Sequence, residues 1–384
     1  MPPLLALLAA CADPKTAPPP EDTGAPEVLP ALDLTDAVEA AAADNRGYGG
    51  VILRVEGTRG AVAWEGAAGD VARGGEAMDP SLGFEVASIT KTATAATVLL
   101  LAEDGVLDLD AGLGTWLDAD VTDGLLVLDG TNHGPDLTLR QLLGHTSGLP
   151  DYWTDPPYVS PDVNAFLRAF IADEDHLWTP EEILDYAREL DPIAAPGDGF
   201  HYADTNYVLL GLVIEAVTGQ ALHDVFRDRI FGPLGMDDTW MSYHEDPASD
   251  LAWAHRYEGH EDLYEVPRQS ADWAGGGLVS SAHDLGALFR ALAQDALFAD
   301  PDTTAAMHTT TPTDWEPGVD YGLGLIVVDL DDGYGQLWGH EGYGGSFAYV
   351  WPEQGLVLLG TVNQTEADPW TLIEEVLAQV GPPG

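Results

Sequence analysis

An α/β fold is what this sequence predicts: a mostly antiparallel sheet flanked by helices, with an all-helical lobe inserted into it. Two observations lead there. Short strands divided by turns occur near both ends of the chain, whereas the middle is mostly helical with long loops. Strands at both termini around a helical middle imply one sheet assembled from both ends. The sheet lobe is therefore expected at 35–105 and 275–384, with the helical lobe at 106–274. A chain of 384 residues is long enough to bury a large core in either lobe.

Residues 1–34 read as a leader. "PLLALLAA" ends in Leu8-Ala9-Ala10-Cys11, which resembles a bacterial lipobox, whose cysteine is lipidated and becomes the mature N-terminus. The stretch after it, rich in proline and acid and without apolar periodicity, reads as a tether. An exported lipoprotein of the bacterial cell envelope is the expectation. Cys11 is the only cysteine, so no internal disulfide can form.

"LTDAVEAAAADN" (34–45) reads as a helix capped by Thr35. Gly50–Val55 and Ala61–Glu65 flank the turn "EGTRG" as a hairpin. From Ser88, "SITKTATAATVLLLAEDG" predicts about 16 helical residues stopped by Gly105. In "TPEEILDYAREL", Thr179, Pro180 and Glu182 form a capping box with proline at the first helical position. "TNYVLLGLVIEAVTG" puts Leu209, Leu210, Val213, Ile214 and Val217 on one face and stops at Gly219. After 275, "YGLGLIVVDL", "GQLWGHEG", "SFAYVWPEQG" and "LVLLGTVNQ" read as strands separated by glycine and aspartate turns. A last helix is expected to start at Asp368 with Pro369 inside it.

Charge narrows the partners. The formal net charge is −51, from 65 acidic and 14 basic residues. Such a surface repels nucleic acid and anionic membranes, so a small-molecule or peptide substrate is expected, with membrane contact only through a lipid anchor. Repulsion at this charge eases as salt shortens the Debye length, which points to a salty habitat. The eleven histidines show no H-x-x-x-H or H-E-x-x-H spacing, and no metal or cofactor is implied.

Only two lysines occur, Lys15 in the tether and Lys91 in the body. Lys91 follows Ser88 by three residues at a helix opening, so both project from one side. Burial is expected to lower the lysine pKa, and a neutral amine could then take the serine proton, as an S-x-x-K nucleophile requires. "GGSFA" (344–348) ends in alanine and leads into a strand, so it fails as a nucleophile elbow. His145 and Ser147 in "GHTSGLPDY" read as a loop bracing the cleft.

"FEVASITKTATAATVLLLAEDGVLDLD" resembles the serine β-lactamase and penicillin-binding family, in its class C-like branch of D,D-carboxypeptidases, D-aminopeptidases and esterases. "LTLRQLLGHTSGLPDYW" (137–153), "FHYADTNYVLLGLVIEAVTG" (200–219) with "IFGPLGMDDTW" (230–240), "GGGLVSSAHDL" (275–285) and "GHEGYGGSFAYVWPEQGLVLLGTVN" (339–363) follow in the family's order, so the resemblance spans roughly 35–380.

The resemblance implies a β-lactamase/transpeptidase-like fold with Ser88 as nucleophile, Lys91 as its base and Tyr202 as the proton shuttle. Asp204 stands where the commonest pattern has asparagine; an amide can donate to a substrate carbonyl, whereas a carboxylate only accepts. His340 heads the K/H-x-G strand with Glu341 and Gly342, and histidine there moves the expectation from β-lactamase toward D,D-carboxypeptidase, D-aminopeptidase or esterase. The backbone N–H of Tyr343, with that of Ser88, would form the oxyanion hole. Two other classes stay open: a catalytically weak envelope-tethered binding or sensor protein of the same fold, and a metal-dependent hydrolase.

Overall fold

The computed structural model describes residues 27–383 except 46–47, 162, 174, 248, 265 and 267, and only the backbone of Arg268 and Gln269. Cys11 and the stretch that resembles a lipobox lie outside the described residues.

The N-terminal hairpin is β1 (Val51–Gly57) and β2 (Val62–Ala68). Six C-terminal strands join it: β3 (Thr311–Pro312), β4 (Val319–Tyr321), β5 (Ile326–Leu330), β6 (Gly335–Gly342), β7 (Ser346–Trp351) and β8 (Leu356–Thr361). Their order is β3-β4-β5-β6-β7-β8-β1-β2, and every neighbouring pair is antiparallel. The two ends of the chain meet where β1 pairs with β8, from Ile52 opposite Thr361 to Gly57 opposite Leu356. This is the sheet expected from strands at both termini.

Both faces of that sheet are covered at β7, β8 and β1, which is why these three strands are buried throughout. Val51, Leu53 and Val55 point to one face, toward α1 (Thr35–Asp44) and the C-terminal helix (Trp370–Val380). Ile52, Val350, Val357 and Leu359 point to the other, where helix Ala282–Ala293 supplies Leu285, Leu288 and Phe289. The period of two sorts each strand between the two cores.

α2 (Thr90–Glu103), assigned by the sequence boundaries to the sheet segment 35–105, packs against α3 (Asp204–Thr218) of the helical lobe. α2 is buried from Thr90 to Leu99, as a helix surrounded by protein must be. The capping box at Thr179 and the left-handed stop at Gly219 are both formed.

Several boundaries differ from the sequence reading. α1 begins at Thr35 itself, and Asp33 accepts the Thr35 N–H at 3.2 Å in place of a threonine cap. α2 begins at Thr90, two residues after the expected Ser88, because Ala87–Ile89 form a 3₁₀ turn; the left-handed Ala87, φ +45°, stops any helix from extending further back. The last helix starts at Trp370, with Pro369 before it and Asp368 accepting the Trp370 N–H at 2.9 Å. The lobe is not all-helical. It carries short ribbons such as Val127–Leu128 with Thr131–Asn132, joined by Asp129 and Gly130, both left-handed, as a two-residue hairpin turn requires.

Candidate active site

Strand Gly83–Glu85 delivers the chain to the site by pairing with Leu278–Ser281. Beyond it the Val86 carbonyl accepts from Ser346 Oγ at 2.9 Å, which ties the approach to β7. The left-handed Ala87 then turns the backbone and presents Ser88 at the mouth of α2. Gly342 makes this approach possible. A Cβ there would lie 2.3 Å from the Val86 carbonyl oxygen and 2.2 Å from Ser346 Oγ.

Lys91, fully buried, has an acceptor for each of its three hydrogens. Ser88 Oγ lies 2.9 Å from Nζ, the Gly275 carbonyl 2.8 Å, and Asp204 Oδ1 closes the set as an ion pair. Burial by itself would push the lysine down, but the Asp204 charge, and after it Tyr202, hold it above the ordinary lysine value. The expectation of a neutral amine is therefore corrected: the resting group is an ammonium, because its counter-charge outweighs its desolvation.

The Tyr202 ring centroid is 5.0 Å from Lys91 Nζ. Burial pushes this phenol up to about 12, with Lys91 and Ser88 acting against that and Asp204 adding to it. His145 holds the segment in place. Its ring stacks on Tyr202 at 4.3 Å, its carbonyl accepts the His201 N–H at 2.8 Å, and its Nδ1 accepts the Ala203 N–H at 3.1 Å. Ser147, also buried, donates to Asn206 Oδ1 at 2.6 Å. Both residues of "HTSG" brace the segment that carries Tyr202.

His340 faces the same space from β6. Its Nδ1 lies 2.7 Å from the Glu341 carbonyl and must donate, which leaves Nε2 to accept from the Tyr321 hydroxyl at 3.0 Å. Burial and then the Lys91 charge push His340 down to about 3, so it is a neutral imidazole. Just beyond, the Tyr343 side chain is 45% exposed while its carbonyl lies 3.4 Å from Arg256 Nη1. Arg256 is itself buried against Glu85 at 2.6 Å, so one ion pair links the strand leading to Ser88 with the turn carrying Tyr343.

Ser88, Lys91, Tyr202, Asp204 and His340 thus gather around the Lys91 ammonium, with Gly342 packed against Val86 and Tyr343 directly after it. The sequence reading did not single out Arg256, Glu85, Tyr321, the Gly275 carbonyl or Asp151. Asp151 accepts the Asp204 N–H at 2.9 Å and the Thr154 hydroxyl at 2.8 Å. Burial, then the Asp204 charge, push its carboxyl up to about 7. The glycine run 275–277 was a signal for a close backbone approach; an isolated Arg256 or Asp151 carries none. Among the described residues, no group of three or more His, Cys, Asp or Glu could hold a metal ion.

A family model described as Beta-lactamase matches residues 35–380. The chain is 27% identical over 276 residues to Penicillin-binding protein 4* of Bacillus subtilis (strain 168), covering 67% of this chain and 55% of that protein. It thus spans about half the length of that relative. With Penicillin-binding protein 4 of Amycolatopsis lactamdurans it shares 28% identity over 312 residues, 76% of this chain and 75% of the other. Among solved structures it is similar to a D-stereospecific amidohydrolase from Streptomyces sp., with a TM-score of 0.75, 31% identity, and 88% of this chain and 96% of that chain covered. The D-amino acid amidase from Ochrobactrum anthropi SV3 complexed with L-phenylalanine amide gives 0.73, 27% identity, and coverage of 91% and 99%.

Proposed function

The chain belongs to the Beta-lactamase family, and on that premise we propose that it is a serine hydrolase cleaving amide or ester bonds through an acyl-enzyme on Ser88. The observation that carries this is the 2.9 Å contact between Ser88 Oγ and Lys91 Nζ, with Tyr202 over the same nitrogen. Lys91, once it has lost a proton, takes the serine hydrogen as Oγ attacks the carbonyl carbon. Tyr202 hands a proton to the departing nitrogen or oxygen and is reprotonated from Lys91. Water then repeats the sequence in reverse and frees Ser88. The N–H groups of Ser88 and Tyr343 supply the oxyanion hole.

The similarity to proteins named as a D-amino acid amidase and a D-stereospecific amidohydrolase, at 27% and 31% identity, supports substrates with a D-amino acyl group or related small amides and esters. A second reading has one observation in its favour. Asp204 holds Lys91 as an ammonium, and a catalytically weak binding or sensor protein would tolerate that. Intact mass after incubation with a fluorophosphonate, a penicillin probe and a p-nitrophenyl ester separates the two. A covalent adduct that disappears in Ser88→Ala, with at least about 10³-fold loss of turnover, is the expected result. Equal labelling of Ser88→Ala would remove the nucleophile assignment, and no labelling of the parent chain would favour the binding protein.

A further inference from the structure

Tyr202 delivers a proton to the leaving atom in the reading above, and this inference rests on that reading. Of the rings against Tyr202 among the described residues, His145, Tyr321 and His340 are buried and only Trp315 reaches solvent, which places it where a leaving group would exit. Trp315 stands in the loop between β3 and β4, with its ring 5.7 Å from Tyr202 and 42% of the residue exposed. Its plane is set by edge contacts, to Phe200 at 5.3 Å and 89° and to Tyr321 at 6.2 Å and 90°. The loop is pinned as well. The Trp315 N–H reaches Thr313 Oγ1 at 3.3 Å, and that hydroxyl donates to the Val319 carbonyl at 2.6 Å.

The residues on either side of Trp315 carry charge of one sign. Asp314 and Glu316 flank Trp315 and are both exposed. On the inner side, His340 is neutral, held between Tyr321 and the Glu341 carbonyl. Lys91 is already engaged by three acceptors, and His201 is paired with Asp155 at 2.6 Å. A carboxylate leaving here meets two carboxylates and no unengaged counter-charge among these groups, whereas an uncharged aromatic ring meets an open indole face.

We propose that Trp315 forms the wall of the leaving-group subsite, and that this subsite takes uncharged aromatic leaving groups and refuses those bearing a carboxylate. Carboxypeptidase substrates, whose leaving amino acid carries a carboxylate, would then be poor, and aryl amides and esters good.

The test uses two acetyl esters of one shape, those of 4-hydroxybenzamide and 4-hydroxybenzoate, with kcat/KM normalised to hydroxide hydrolysis. Long-range repulsion by the −51 surface would mimic the effect, so rates are compared at ~1 M NaCl, where the Debye length is ~3 Å. The amide-bearing ester should be faster by about tenfold. Trp315→Ala should raise KM for it by about three- to tenfold. Trp315→Arg, or Asp314→Asn with Glu316→Gln should the arginine variant not fold, should narrow the gap. Equal rates at high salt, or a gap that neither variant moves, overturn the subsite. If the parent chain takes no fluorophosphonate label, the hydrolase reading falls and this inference with it.

Discussion

Asp204 Oδ1 and Lys91 Nζ form an ion pair, and the same nitrogen touches Ser88 Oγ at 2.9 Å. The residue that distinguishes this chain from the commoner motif therefore acts directly on the group we propose as the acceptor of the serine proton.

Asp204→Asn should move the activity limb. The carboxylate holds Lys91 above the ordinary lysine value, and the base-competent amine forms only as pH rises toward that value. An amide removes the charge, so the rising limb of kcat/KM should shift to lower pH, by about 1 unit or more. The comparison needs a substrate without a titrating group and fixed salt. Coincident limbs would mean that Asp204 does not govern the proton on Lys91.

Asp151→Asn should stabilise the protein at neutral and alkaline pH. The Asp151 carboxyl is pushed up to about 7, above the usual carboxylate range, so the native state holds its proton more tightly than the unfolded chain does. Between roughly pH 4 and 7 that difference lowers stability as pH rises, and the loss persists above 7. Asparagine keeps an acceptor for the Asp204 N–H and carries no charge. Urea unfolding at pH 8 should show a gain of up to about 4 kcal/mol, with little change at pH 4. Parallel stability curves from pH 4 to 8 would show that Asp151 ionises without cost.

Salt should raise the thermal midpoint. With 65 acidic against 14 basic residues, exposed carboxylates repel one another, and ~1 M NaCl screens charges separated by more than ~3 Å. Melting curves at rising NaCl test this, and a flat or falling midpoint removes the salt-adapted reading.

We propose that Cys11 carries a lipid anchor. Expressed in a bacterial host with its leader, the chain should incorporate labelled palmitate and sediment with membranes, and Cys11→Ser should do neither. Equal labelling of the serine variant would leave 1–34 as an ordinary tail.

What the sequence by itself determined was local. The S-x-x-K spacing put Ser88 and Lys91 in contact because three residues make one turn, and the capping box at Thr179 and the stop at Gly219 act within their own helix. The order of segments implied a sheet closed by both termini, and the largely unbroken apolar runs of β1, β7 and β8 suit strands buried on both faces. Tertiary structure decided what depends on through-space neighbours. Burial alone argued for a neutral Lys91, and only the approach of α3 showed that Asp204 reverses this. Ser88 lies not in the helix but in the 3₁₀ turn before it, Ala87–Ile89, which opens on a left-handed Ala87. Arg256 meets Glu85, and Trp315 meets Tyr202, across stretches of chain that share no pattern. Charge and packing act over ångströms of space and not over positions in a chain, so those pairings became visible only once the chain was folded.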